Sequence, residues 1–178
     1  MALTSKQKAW LETARPLAER EAKRLGISPE LILAQAAHES AWGEKAPQNN
    51  FFGIKGAGRA QNTQEFQNGR MVNTKANFAA YPDMDASFAG YGDFLQKNSR
   101  YKQLLSSGND FGANVAQIAK SGYATDPAYG QKLAPQAAKP IQKRDLSGEQ
   151  QDVMAMLGAK RGSFIFPQFG TNLLKGFS

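Results

Sequence analysis

Ser28-Pro-Glu-Leu-Ile-Leu-Ala-Gln-Ala-Ala-His-Glu-Ser-Ala-Trp-Gly43 is the stretch whose reading decides the fold. Ser28 is a capping residue type, Pro29 suits the first helical position and Glu30 complements the positive end of the helix dipole. Gly43 is a stop signal. Between these ends Leu31, Ile32, Leu33, Ala34, Ala36, Ala37, Ala41 and Trp42 leave almost no polar face. A helix that is apolar all round is a buried helix. Glu39 nevertheless falls in its last turn, one turn after Gln35. A carboxylate placed there must be paired, have its pKa raised by desolvation, or face a cleft. The last case describes a general acid. His38 is rotated about 100° from Glu39 around the helix, and reads as a packing or hydrogen-bonding residue.

Working outward, residues 5–25 place Trp10, Leu11, Ala14, Leu17, Ala18 and Leu25 at helical spacing, opposite Lys8, Glu12, Arg15, Glu19 and Lys23, with Gly26 as the stop. The two helices form a hairpin. A Gly- and Asn-rich loop follows over 43–58, in which Phe51, Phe52 and Ile54 are expected to fold back onto the core. Over 62–81 the pattern becomes strand-like, and Asn68-Gly69 between two such runs is a strong hairpin signal. It predicts a small antiparallel ribbon of two or three strands with Glu65 on the first. A helix is expected from Asp85 to about residue 97, with Phe88, Tyr91, Phe94 and Leu95 inward, then a short turn around Tyr101 and Leu104. Asn109 or Asp110 caps a further helix ending at Gly122, with Phe111, Val115, Ile118 and Ala119 inward. Asp126 is read as the cap of the last core helix and Pro127 as its first residue.

After Leu133 two prolines and several basic residues predict a linker or a frayed helix, followed by a tail with Phe164, Ile165, Phe166, Phe169, Leu173, Leu174 and Phe177. That apolar density predicts packing or docking, with no disordered character. The division expected is a domain over 1–140 and an extension over 141–178.

Composition narrows the chemistry. The 178 residues are 41% hydrophobic and 10% aromatic, enough for a real core. Mean hydropathy is −0.52, and no apolar run approaches the length of a membrane span. There is no cysteine, which excludes disulfides and thiol nucleophiles, and a single histidine, which argues against a metal site. No cofactor is expected. Catalysis falls to carboxylates, tyrosines and amides. The net charge of +7 and pI near 9.7 point to a polyanionic partner. The basic residues are scattered and form no stripe of the kind a nucleic-acid module uses, so nucleic acid is not the expected partner. Met1-Ala-Leu-Thr-Ser-Lys-Gln-Lys8 has no apolar signal-peptide core.

Five motifs stand in order: Leu33-Ala-Gln-Ala-Ala-His-Glu-Ser-Ala-Trp-Gly43, Asn50-Phe-Phe-Gly-Ile-Lys55, Thr63-Gln-Glu-Phe-Gln-Asn-Gly69, Phe78-Ala-Ala-Tyr81 and Gly122-Tyr-Ala-Thr-Asp-Pro-Ala-Tyr129. Together, over residues 10–140, they resemble glycoside hydrolase family 73, the peptidoglycan glucosaminidases. The resemblance implies a lysozyme-like α+β fold, a helical lobe and a small β-hairpin lobe flanking a glycan groove. It implies cleavage of the β-1,4 bond after N-acetylglucosamine in peptidoglycan. By motif position it makes Glu39 the general acid, Glu65 the second carboxylate and Tyr123 a tyrosine beside the acid. Gln35, Asn50, Phe51, Gly53 and Tyr129 are then the expected substrate-binding residues.

One carboxyl kept protonated on an apolar helix, with a second ionised on a solvated hairpin, fits what glycoside hydrolysis asks for. Whether the reaction inverts, retains or uses the substrate's acetamido group stays open. So do a muramidase or lytic transglycosylase of the same fold and, ranked last, a non-catalytic glycan-binding module. With no signal peptide and an apolar tail, the expectation is a phage-encoded wall hydrolase delivered by a virion, by lysis or by a specialised export route. Residues 146–178 would then contact a virion or tail protein.

Overall fold

The computed structural model describes residues 3–67 and 69–137, with the side chains of 64–67, 71 and 134–137 outside the description. The expected extension over 141–178 therefore lies outside the described residues. Everything described belongs to one compact unit, built from six helices and a hairpin.

The first helix, α1 (Ser5–Leu25), opens on a capping box in which Thr4 and Gln7 satisfy each other's backbone amides. It closes on Gly26 at φ 71°. The second, α2 (Pro29–Ser40), starts where the Ser28 hydroxyl accepts from the Glu30 amide at 3.1 Å. Leu31 to Ala37 are all buried. These seven residues fill the centre of the domain, with α1 on one side and the later helices on the other.

α2 stops three residues before the expected Gly43. Ala41 and Trp42 take left-handed conformations at φ 50° and 60°, with Gly43 at φ 84° behind them. The Ser40 hydroxyl donates to Ala36 O at 2.6 Å and accepts from the Gly43 amide at 2.8 Å, so the turn satisfies its own polar groups. Trp42 packs edge-on against Trp10 of α1, 5.5 Å between ring centres.

The hairpin pairs β1 (Lys55–Gln67) with β2 (Arg70–Phe78) antiparallel, Asn62 opposite Lys75 and the Glu65 backbone opposite Val72. β1 begins seven residues earlier than the hydrophobic pattern predicts. Its start is irregular, since the register runs from Lys55 opposite Phe78 directly to Ala60 opposite Asn77. Gly56 and Gly58 make this possible: a Cβ at either would collide with the backbone of Phe78 or Ala79.

The chain then returns to helix: α3 (Met84–Lys97), α4 (Lys102–Leu105), α5 (Phe111–Lys120) and α6 (Tyr129–Ala137). α3 begins one residue before the expected Asp85, and Asp83 caps it through the Ala86 amide at 2.8 Å. Asp110 caps α5, which ends at Lys120. On α5 Ile118 is fully buried and Phe111 and Val115 are partly covered, but Ala119 is exposed and Asn114 takes the inward place. Asp126 holds the Ala128 amide at 2.9 Å in a turn, and α6 begins two residues after Pro127. α6 runs through Pro135 to Ala137, the helical one of the two alternatives expected after Leu133.

Candidate active site

Glu39 sits one residue before the end of α2, where the helix leaves the core and its side chain is partly buried. Burial pushes its carboxyl above the ordinary value, opposed in part by the Tyr129 hydroxyl that donates to Oε1 at 2.8 Å. Desolvation is the larger effect. The acid therefore holds its proton to higher pH than a solvated glutamate.

Behind Tyr129 the hydrogen bonds continue inward. Gln35 Nε2 donates to the Tyr129 oxygen at 3.0 Å, and the Tyr91 hydroxyl donates to Gln35 Oε1 at 2.6 Å. The direction of this relay follows from donor and acceptor counts. An amide nitrogen only donates, so Tyr129 accepts from Gln35 and spends its single proton on Glu39. Flipping the Gln35 amide would make the fully buried Tyr91 hydroxyl an acceptor and deprive its hydrogen of the acceptor it has in Gln35 Oε1, a costly arrangement. Glu39 Oε1 is thus an acceptor, and when the carboxyl is protonated its proton belongs on Oε2.

Oε2 faces Gly53. A Cβ built on Gly53 would stand 3.4 Å from it, and Gly53 has φ 62°. The loop that brings Gly53 there is knotted by Asn50. Its Oδ1 accepts from the Ile54 amide at 3.1 Å, while Nδ2 donates to Ile54 O at 2.8 Å and Ala79 O at 3.0 Å. The Phe51 amide donates to Ser87 Oγ on α3 at 3.2 Å. The Tyr123 hydroxyl donates to Phe52 O at 2.8 Å, and its ring stacks on Tyr129 at 5.7 Å. Tyr91, Tyr123 and Tyr129 all have hydroxyl pKa values raised well above 10, chiefly by burial, so they act as neutral donors. His38 points its ring at Tyr129, 5.8 Å away, and burial lowers its pKa.

The structure thus brings Glu39, Gln35, Tyr129, Tyr123 and Gly53 together. Four of the residues expected to contact substrate are buried: Gln35 is 0% exposed, Tyr129 4%, Asn50 5% and Phe51 7%. The polar side-chain atoms of Gln35, Tyr129 and Asn50 are taken by protein partners, and Phe51 packs against Phe88. They position the acid and the loop beside it. Of the expected set Gly53 and Tyr123 line open space, a cavity of about 360 Å³ shared with Phe94 and Arg100. The Glu65 side chain lies outside the described residues. Tyr91 was not foreseen as part of the site, because its spacing on α3 signals only an inward aromatic. Among the described residues no group of three or more His, Asp or Glu is placed to hold a metal ion.

Residues 15–139 match the glucosaminidase family model, described as mannosyl-glycoprotein endo-beta-N-acetylglucosaminidase. The chain belongs to this family, glycoside hydrolase family 73. A peptidoglycan hydrolase mutant from Sphingomonas sp. A1 superposes with a TM-score of 0.68 at 29% identity, covering 75% of this chain and 94% of that one. A truncated glycoside hydrolase domain of Salmonella typhimurium FlgJ gives 0.61 at 29% identity, over 77% and 99%. The peptidoglycan hydrolase FlgJ of Vibrio parahaemolyticus is 37% identical over 137 residues, 70% of this chain and 44% of that protein. The chain thus spans less than half the length of this relative. Mainly helical, with one two-stranded antiparallel sheet among the described residues, the chain shares the lysozyme-like α+β fold of these family 73 neighbours.

Proposed function

We propose that this family 73 chain hydrolyses the glycan strand of peptidoglycan at the N-acetylglucosaminyl β-1,4 linkage, with Glu39 as general acid. The observation that carries the reading is the asymmetry of the Glu39 carboxyl. Burial raises its pKa, the Tyr129 hydroxyl donates to Oε1, and Oε2 lies against Gly53, which lines the neighbouring cavity. A proton donor in that state is what departure of a glycosidic oxygen requires. Glu65, on the paired part of β1, is the proposed second carboxylate. Family membership and the relatives named above support the substrate.

Mass spectrometry of fragments released from purified sacculi tests this. Wild type is expected to release new N-acetylglucosamine reducing ends, and Glu39→Gln none. Muramic or anhydro-muramic ends would assign a muramidase or transglycosylase on the same fold, while fragments from Glu39→Gln would remove Glu39 from its role.

We further propose that the protein acts on the wall or in the periplasm, carried there by a virion, lysis or specialised export, with 146–178 as the docking segment for a virion or tail protein. The run of apolar residues after Phe164 supports this. Among the described residues no helix is long and apolar enough to cross a membrane. A chain ending at residue 145 should hydrolyse sacculi normally yet be absent from particles. Normal incorporation would refute the docking role.

A further inference from the structure

The cavity beside Glu39 carries charge that proton donation does not use. Gly53 and Tyr123 form its wall on the side of the acid, Phe94 adds a second ring, and Arg100 and Lys55 line it as well. The Arg100 guanidinium lies 4.9 Å from the ring centre of Tyr101 and 5.9 Å from that of Phe94. One of its N–H groups reaches Gly122 O at 3.5 Å. The rings and the carbonyl hold the fork in place without neutralising it. Several other basic side chains of the helical part are spent on carboxylates: Arg20 on Asp85, Arg24 on Glu21 and Asp93, Lys132 on Asp126. Among the described residues Arg100 has no such ion pair, and no carboxylate lines the cavity.

A planar fork of donors resting on aromatic faces beside open space is matched to a carboxylate. We propose that the cavity is a subsite for the carboxylate carried by the muramyl residue of the strand, on its lactyl group or on the peptide attached there. This rests on the glycan-hydrolase reading above and deepens it. The strand alternates a neutral sugar, N-acetylglucosamine, with one bearing an anionic substituent. A cation on one side of Glu39 therefore sets the register, so that only one of the two β-1,4 linkages in the repeat meets Oε2. Arg100 is in this sense a specificity-determining residue, and it leaves the proton transfer itself to Glu39.

The test uses the full chain on four substrates: strands bearing peptide stems, strands stripped of them by an amidase so that lactyl carboxylates are free, and both again with carboxyls converted to methylamides. Wild type should show kcat/KM roughly tenfold higher on charged than on neutralised strands. Arg100→Gln should cleave both at the neutralised rate, and Arg100→Lys should keep part of the preference. A preference retained on stripped strands assigns the carboxylate to the lactyl group, and one confined to stem-bearing strands assigns it to the peptide. An Arg100→Gln protein that melts as wild type yet keeps the full preference overturns the subsite. So does one that loses rate equally on charged and neutralised strands. Glu39→Gln run alongside separates the two readings: if it is inactive where wild type is active, the general acid stands whatever Arg100 shows; if it is active, Glu39 loses its role; and if wild type itself releases nothing, the hydrolase reading falls.

Discussion

Glu39 has two oxygens in different surroundings, and the difference is set two residues deep. Tyr129 has one proton, and Gln35 obliges it to point at Oε1. Removing that hydroxyl has a predictable sign. The bond from Tyr129 favours the ionised carboxylate, so it lowers a pKa that burial has raised. Tyr129→Phe should therefore raise the Glu39 pKa further. In the proposed general-acid role Glu39 acts only when protonated, so the alkaline limb of the kcat/KM profile should move to higher pH. The rate at its maximum should fall by about 10- to 100-fold as Oε1 loses its anchor. Gln35→Met, of similar volume, should move the limb the same way by less, with KM little changed. An unmoved limb in both variants would mean that the relay only packs the core. A carboxyl on an apolar helix is visible in sequence because it contradicts its surroundings. The Tyr91 hydroxyl is not, since an inward tyrosine at helical spacing looks the same whether or not its oxygen is used.

At the scale of elements, the helix cores were legible and so were the ends marked by local caps at Gly26, Ser28 and Asp110, while the end of α2 was not. The apolar runs of α1, α2 and α3 follow from periodicity, which depends only on which residues avoid water. The end of α2 depends on what the chain does next. Ala41 and Trp42 accept left-handed backbone because Trp42 finds Trp10, a tertiary contact that no local signal carries. Asn114 is buried on α5 because its side chain accepts from the Ser28 amide at 2.7 Å and donates to Ser107 and Gly108, joining three turns. Polar residues that are satisfied inside a core escape a hydrophobic pattern. The join between α1 and α3 is a further case. Glu21, 3% exposed, is bridged by Arg20 at 3.1 Å and Arg24 at 2.6 Å, and these arginines reach Asp85 and Asp93 on α3. Gly92 leaves the room for them, since a Cβ there would stand 2.6 Å from Glu21 Oε2 and closer still to Arg24. Alanine normally stabilises a helix interior by about 1 kcal/mol over glycine. Here the two side-chain ends must move apart, which leaves a buried carboxylate less well paired. Gly92→Ala should accordingly destabilise by roughly 1–2 kcal/mol, read as a lower urea midpoint at unchanged slope. A raised midpoint would show that the pair relaxes freely and contributes little.

Across the whole molecule the net charge of +7 has a direction as well as a size. Residues 55–78 hold Lys55, Arg59, Arg70 and Lys75 against the single acid Glu65, so the hairpin is a basic arm. Arg59, Arg70 and Lys75 are exposed on it. The helical unit spends much of its charge internally, on the Glu21 network and the Lys132–Asp126 pair. An arm of this kind attracts an anionic wall over a distance that salt controls, about 8 Å at physiological ionic strength. It acts on encounter and retention and not on the proton transfer, which takes place beside a partly buried group that ions screen far less. Raising NaCl from about 0.05 to 0.5 M, where the screening length falls severalfold, should therefore raise KM on intact sacculi while leaving kcat nearly constant. The double variant Arg59→Gln/Lys75→Gln, distant in sequence from Glu39, should flatten that salt dependence and reproduce at low salt the KM that wild type shows at high salt. A salt effect on kcat alone, or one of the same slope in the double variant, would place the electrostatic contribution elsewhere than on the hairpin.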